Sequence, residues 1–191
     1  MFSLPPVTQA LILSNVIVYF AEGAGFGLNL DMLALWPLGP AFMPWQVLTY
    51  AFLHGGFTHL LFNMFGLYMF GGEIERVWGS PRFLKYYLVC ALSGAAAQLV
   101  FSAVTGARAP MVGASGAIFG LLIAFAMVYP NRKILLLIPP IPMRAPVFVA
   151  LYGGLELFLG ITGTAAGVAH FAHLGGLAGG YLYLKFWRRR R

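Results

Sequence analysis

Apolar residues run through this chain in six long blocks, separated by short stretches that carry nearly all of its charge, proline and loop-forming residues. The blocks cover approximately residues 7–26, 57–74, 83–104, 115–129, 145–162 and 166–187. A bilayer core of about 30 Å takes about 20 apolar helical residues, so each block is the length of a membrane-spanning helix or slightly less. The first is interrupted by Gln9, Ser14, Asn15 and Glu22. The segment 27–55 is too broken by Pro37, Pro40 and Pro44 to span. Trp36 and Trp45 suit it to the membrane interface, as an outer loop lying partly in the leaflet. The fourth block is short, so its start is expected below the surface, reached by non-helical backbone lining protein or a water-filled cavity.

Composition agrees with the pattern. Of 191 residues, 60% are hydrophobic and 9% are charged, where a soluble domain carries about 25% charged residues. The expected fold class is all-α: a polytopic membrane protein, one bundle of six transmembrane helices filling residues 1–191 as a single domain. The start lacks a signal peptide's basic region and cleavage site, so the first block is expected to stay in the mature protein. The net charge of +7 does not point to nucleic acid, because the basic residues sit at block ends. With both termini inside, every one of the 12 Lys and Arg except Arg108 is cytoplasmic, and the bias toward positive-inside orients the bundle. Arg188 to Arg191 read as a topology anchor with affinity for anionic lipid. Cys90 is the only cysteine, which rules out an intrachain disulfide or a cysteine metal cluster.

This orientation sends the second, fourth and sixth blocks in from the outer face, and it brings their polar residues to one depth. His59 and Asn63 share a face of the second, four residues apart. Ser115 opens the fourth within Gly113-Ala114-Ser115-Gly116, and His173 lies about seven residues into the sixth. At about 1.5 Å per residue these sit within about 10 Å of one another in depth. Gly116 with Gly120, and Gly176 with Gly180, form small-xxx-small faces through which the fourth and sixth helices can approach closely. A serine hydroxyl needs a base to become a nucleophile, and histidine is the usual one near neutral pH. Phe119, one turn after Ser115, can pack on the His173 ring. His59, Asn63 and the Ser115 amide can donate to an oxyanion. No acid obviously completes a triad: Glu22 and Asp31 belong to the outer region and Glu156 to the fifth block, so a Ser115–His173 dyad is the economical expectation. No HExxH motif occurs, and no acidic residue falls close in sequence to His54, His59, His170 or His173, so no metal or other cofactor is expected.

Three of these groups together resemble the rhomboid intramembrane serine proteases. They are His59-x-x-x-Asn63, Gly113-Ala114-Ser115-Gly116 and Ala172-His173-x-x-Gly176-x-x-x-Gly180, in the family's order and on its second, fourth and sixth spans. The match covers nearly the whole chain, in the minimal six-span form of prokaryotic type. The resemblance implies Ser115 as nucleophile, His173 as general base and His59, Asn63 and the Ser115 amide as oxyanion donors. It implies a supporting role for His54, and substrates that are themselves transmembrane proteins, cut near the outer face. It implies a place in a prokaryotic cell membrane. Gln46 departs from the arginine often found after the tryptophan at 45, and Phe119 replaces a tyrosine found in some members. Two other readings stay open on the residues alone. One is a rhomboid-fold protein that binds client helices without cutting them, and the other is a small transporter built around Glu156.

Overall fold

The computed structural model describes residues 3–23, 30–135, 140–164 and 167–188. The expected end of the first block (24–26), part of the outer segment (27–29), the start of the sixth block (166) and Arg189 to Arg191 lie outside the described residues. The helices are α1 (Pro6–Gly23), a short α2 (Gln46–Thr49), α3 (Phe57–Gly66), α4 (Gly72–Trp78), α5 (Ser80–Thr105), α6 (Ser115–Val128), α7 (Ala145–Thr162) and α8 (His170–Arg188). A widened π turn over Leu67–Gly71 joins α3 to α4, so the second block is one helix from Phe57 to Trp78, past the expected end at 74. The sixth begins at His170, not near 166, which moves His173 from about seven residues into the helix to its first turn. The 130–144 connection, expected as a loop, holds a two-stranded hairpin of β1 (Lys133–Leu135) and β2 (Pro142–Arg144).

Local sequence explains the helix ends. Proline in the first turn opens α5 and α7, where its missing N–H costs no helical bond. The α5 helix stops at Gly106, whose φ of 73° is the left-handed conformation that closes a helix C-terminus.

Packing puts α6 at the centre. Its buried residues run from Gly116 through Leu122 and again from Ala124 to Ala126. The α5 and α8 helices close on it through small residues, and the Tyr86 hydroxyl of α5 donates to the Gly120 carbonyl at 2.6 Å. The polar inventory is turned inward: Thr8, Asn15, Gln46, His54, Asn63, Glu75, Ser102, Glu156, His170 and His173 are all buried. Large apolar side chains face out instead, among them Ile17, Phe62, Val104, Leu151, Phe158 and Phe186. Water-soluble proteins do the reverse with their charged groups, whereas hydrocarbon is indifferent to an outward leucine and penalises an outward carboxylate. Among the described residues, two helices, Ser80–Thr105 and Ala145–Thr162, are long and apolar enough to cross a membrane, and Ser115–Val128 is apolar but shorter.

Glu75 holds the lower end together. Its carboxylate accepts from the Val7 and Thr8 amides at 2.9 and 2.7 Å, the Thr8 hydroxyl at 2.7 Å and the Ser80 hydroxyl at 2.6 Å. Two of these donors are orphan N–H groups at the start of α1, so Glu75 caps α1 from another helix. Burial works to raise the carboxyl, but the hydrogen bonds from Ser80, Thr8 and Val7 outweigh it and hold the group below the ordinary carboxylate range. Glu75→Ala would strand these donors and is expected to cost about 3–5 kcal/mol, as when one partner of a buried charged network is removed. Because the carboxyl is depressed in the folded state, its contribution is present above the ordinary value of 4.5 and is lost as pH falls below it. Thermal unfolding of purified wild type and Glu75→Ala across pH 3–7 checks both: the gap between them should narrow toward the acid end.

Candidate active site

The backbone that delivers Ser115 is irregular and tied down on both sides. Leu35 and Met111 exchange two amide hydrogen bonds, each 2.9 Å, which fixes the outer segment to the stretch before α6. The Gly113 amide donates to the Tyr50 carbonyl at 2.9 Å. Gly113 has a φ of 125°, and a Cβ there would stand 2.7 Å from His59 Nε2 and 3.6 Å from Ser115 Oγ. Glycine is required on both counts, and the missing side chain leaves one small space faced by the His59 ring and the Ser115 hydroxyl. Ser115 is the first residue of α6, so its amide is among those a helix start leaves without an intrahelical acceptor.

His173 comes from the first turn of α8, where α8 lies backbone to backbone on α6. A Cβ on Gly176 would overlap the Gly116 carbonyl, and one on Gly116 would stand 3.2 Å from the Ala172 carbonyl. Across this contact, His173 Nε2 and Ser115 Oγ are 2.7 Å apart. The Phe119 ring stacks on the imidazole with centroids 4.4 Å apart and planes 5° from parallel, and Tyr152 of α7 stacks on Phe119 in turn. The imidazole is thus held in one plane.

The other edge of that ring meets an acid. His173 Nδ1 lies 2.9 Å from Glu156 Oε2, and His170 Nδ1 lies 2.6 Å from the same oxygen. The residues alone set Glu156 apart as an acid of the fifth block with a role only in the transporter reading, and gave His170 none. The separations are 14 and 17 residues, across two helices. A usable signal was present: a carboxylate inside an apolar block must find a partner in the interior, and His170 was the polar group left unassigned.

Of the remaining expected residues, His59 and Asn63 do share a face of α3, and the Asn63 side-chain amide donates to the His59 carbonyl at 3.0 Å, leaving its second hydrogen for another acceptor. The buried His54 ring meets the His59 ring edge-on, with centroids 5.0 Å apart. Gly180 lies one turn beyond Gly176, where a Cβ would crowd the Tyr86 hydroxyl. Gln46, noted for standing where an arginine is common, is fully buried. It accepts from the Trp36 amide at 3.2 Å and donates to the Met32 and Ala41 carbonyls at 3.2 and 3.0 Å, stapling the outer segment with an uncharged side chain.

Among the described residues, Glu156, His170 and His173 also form a group that could hold a metal ion, with ligand atoms all within 4.8 Å of one another. Ligands about 2.0–2.1 Å from a tetrahedral zinc stand roughly 3.3 Å apart. The 2.6 and 2.9 Å separations here are those of direct hydrogen bonds.

A helical bundle, apolar outside and polar within, with a serine and a histidine paired across two close-packed helices, has the make-up of a membrane protein with an internal polar site. The Rhomboid domain model matches residues 41–190. The chain is 38% identical over 138 residues to rhomboid protease GluP of Bacillus subtilis (strain 168), covering 72% of this chain and 25% of that one. It is 31% identical over 206 residues to mitochondrial rhomboid protein 1 of Saccharomyces cerevisiae, covering 94% and 55%. With RHOMBOID-like protein 4 of Arabidopsis thaliana it shares 34% over 145 residues, covering 72% and 32%. The chain belongs to the rhomboid family and is therefore an integral membrane protein. It spans between a quarter and about half the length of these relatives.

The contact at Gly176 sets where His173 stands. Gly176→Ala is expected to cost about 1–3 kcal/mol or more, the penalty of overpacking against backbone that cannot yield. Gly154, on the open side of α7 with nothing near its Cβ position, is the control: Gly154→Ala should be neutral, or stabilise by up to about 1 kcal/mol through helix propensity. Thermal unfolding in detergent compares the two.

Proposed function

We propose that this protein is an intramembrane serine endopeptidase that hydrolyses peptide bonds in or near the transmembrane segments of other membrane proteins. The observation that carries the reading is the 2.7 Å contact between Ser115 Oγ and His173 Nε2, made by a ring that Phe119 holds in plane. That the similar GluP is called a rhomboid protease supports the same reading.

In this reaction the Ser115 proton passes to His173 Nε2 as Oγ bonds to the substrate carbonyl carbon, and the carbonyl electrons move onto oxygen. His59, Asn63 and the Ser115 amide donate to that oxyanion, the amide with the added field of a helix start. Collapse breaks the C–N bond, and the imidazolium gives its proton to the departing amine. Water then repeats the sequence on the acyl-enzyme and frees Ser115. His54, packed on His59, and Gly113, which leaves the space beside it, support the donors. Gly116, Gly176 and Gly180 support the helix contact beneath.

The bundle is a single six-span domain with both termini cytoplasmic and the site opening to the outer face of a prokaryotic cell membrane. Lys and Arg at the cytoplasmic block ends support this orientation.

Purified protein incubated with a panel of single-span substrates is expected to cleave at least one, with the cut near the substrate's outer end by mass spectrometry. Ser115→Ala and His173→Ala should each abolish cleavage, and a fluorophosphonate should label wild type but not Ser115→Ala. Cleavage by a clean Ser115→Ala protein would refute the assignment. Labelling of Ser115 without turnover of any substrate would favour the client-binding reading.

His59→Ala and Asn63→Ala are each expected to lower kcat by about 10²–10³ with little change in KM, because the oxyanion exists only on the reaction path. Steady-state kinetics on the cleaved substrate separates this from lost binding, which would raise KM instead.

A further inference from the structure

Ser115 meets one edge of the His173 ring, at Nε2. The opposite edge faces Glu156 Oε2 at 2.9 Å, and that oxygen is held in turn by His170 at 2.6 Å. If Nε2 is to accept from the Ser115 hydroxyl, the ring's one hydrogen must sit on Nδ1. A carboxylate against Nδ1 selects that tautomer. The other tautomer would set the Nδ1 lone pair against a carboxylate oxygen and leave Nε2 with a hydrogen where it must accept one.

We propose that Glu156 is a positioning residue of the hydrolytic site, acting through His173: its carboxylate, steadied by His170, fixes the His173 tautomer and stabilises the imidazolium formed when Ser115 gives up its proton. The inference rests on the protease reading and makes the Ser115–His173 pair a row of three. In the step itself the Ser115 proton moves to Nε2 while the Nδ1 hydrogen stays on nitrogen, so Glu156 remains a carboxylate throughout. On collapse of the intermediate, Nε2 returns its proton to the leaving amine and the ring is neutral again.

Among the described residues, no Lys or Arg is paired with Glu156. The titratable groups facing it and His173 are His170 on α8, Tyr152 on α7, Ser115 on α6 and His59 on α3. No Lys or Arg is among these. The carboxylate's hydrogen-bond partners among the described residues are the two imidazoles. Two histidines three residues apart lie on one face of α8, and both aim Nδ1 at the same oxygen. A carboxylate serving only to dock α7 would not need to meet the general base at its second nitrogen.

The test is the pH dependence of turnover by wild type, Glu156→Gln and Glu156→Asp on one cleaved single-span substrate. Glutamine keeps the shape and removes the charge. Glu156→Gln is expected to lose about 10²–10⁴-fold in kcat with KM changed little. The acid limb of kcat/KM should move to lower pH, because an imidazolium without its carboxylate forms less readily. Glu156→Asp, which keeps the charge on a shorter arm, should recover part of the loss. Wild-type-like kcat and an unmoved acid limb in Glu156→Gln would overturn the proposal, as would a loss uniform in pH and accompanied by a raised KM. Absence of any Ser115-dependent turnover in wild type would instead overturn the protease reading itself, and this inference with it. A second measurement does not depend on the Glu156 variants folding. With 15N-labelled histidine in wild type, the His173 resonances, assigned by their loss in His173→Ala, should show a protonated Nδ1 and an unprotonated Nε2 at neutral pH. The reverse tautomer would refute the proposal.

Discussion

Between α6 and α8 the two backbones touch, and the positions of the chemically capable groups follow from that contact. At Gly176 and Gly116 no side chain intervenes, so the α8 carbonyls lie against the Cα atoms of α6. On the same seam stand Ser115, next to Gly116, and His173, one turn before Gly176. The close backbone contact fixes how the two side chains face each other, and the 2.7 Å contact between the hydroxyl and the imidazole lies across it. The glycines build the site by what they leave out.

The second constraint is that α6 is short and begins inside the bundle. Its first residue needs no intrahelical partner for its amide, and the chain arriving there is non-helical, so each of its polar groups has to be satisfied locally. The Leu35–Met111 pair and the Gly113–Tyr50 bond do this with backbone alone. The outer segment is therefore part of the site's foundation. Gln46 anchors it from within through three hydrogen bonds to backbone groups.

Much of this was legible in the sequence, for identifiable reasons. The apolar blocks located the helices because bilayer thickness fixes their length, and α6 and α7 start where the sequence reading starts them. Ser115, His173, Phe119 and the paired glycines stood out because each lies at a fixed helical offset from another. The start of α8 was misjudged because Ala-Gly-Val-Ala before His170 is as apolar as the helix that follows. The π turn left no mark on the apolar pattern, since Leu67 to Gly71 reads like any helical turn. The hairpin between α6 and α7 was hidden by its prolines. Glu156 was only half legible: an acid inside an apolar block implies an interior partner, but periodicity along one helix says nothing about rotation against a neighbour. Only the crossing of α7 and α8 brings positions 156, 170 and 173 to one point.

That crossing links local chemistry to the stability of the bundle. The α7 helix is the least embedded of the long helices around the site, with Ala145, Val149 and Glu156 its buried residues. Its outer face is Leu151, Leu155, Phe158 and Ile161, which lipid covers as well as protein would. Little apolar burial is therefore available to hold α7 in place. At the level of the site its specific ties are the Tyr152 stack on Phe119 and the two hydrogen bonds of Glu156. Both converge on the His173 ring, the stack through Phe119 and the carboxylate directly. A motion that carries α7 away must loosen the imidazole's plane and its Nδ1 partner together. Conversely, a ring held in its reactive orientation draws α7 against the bundle. At this level the docking of α7 and the ordering of the His173 ring therefore share the same contacts.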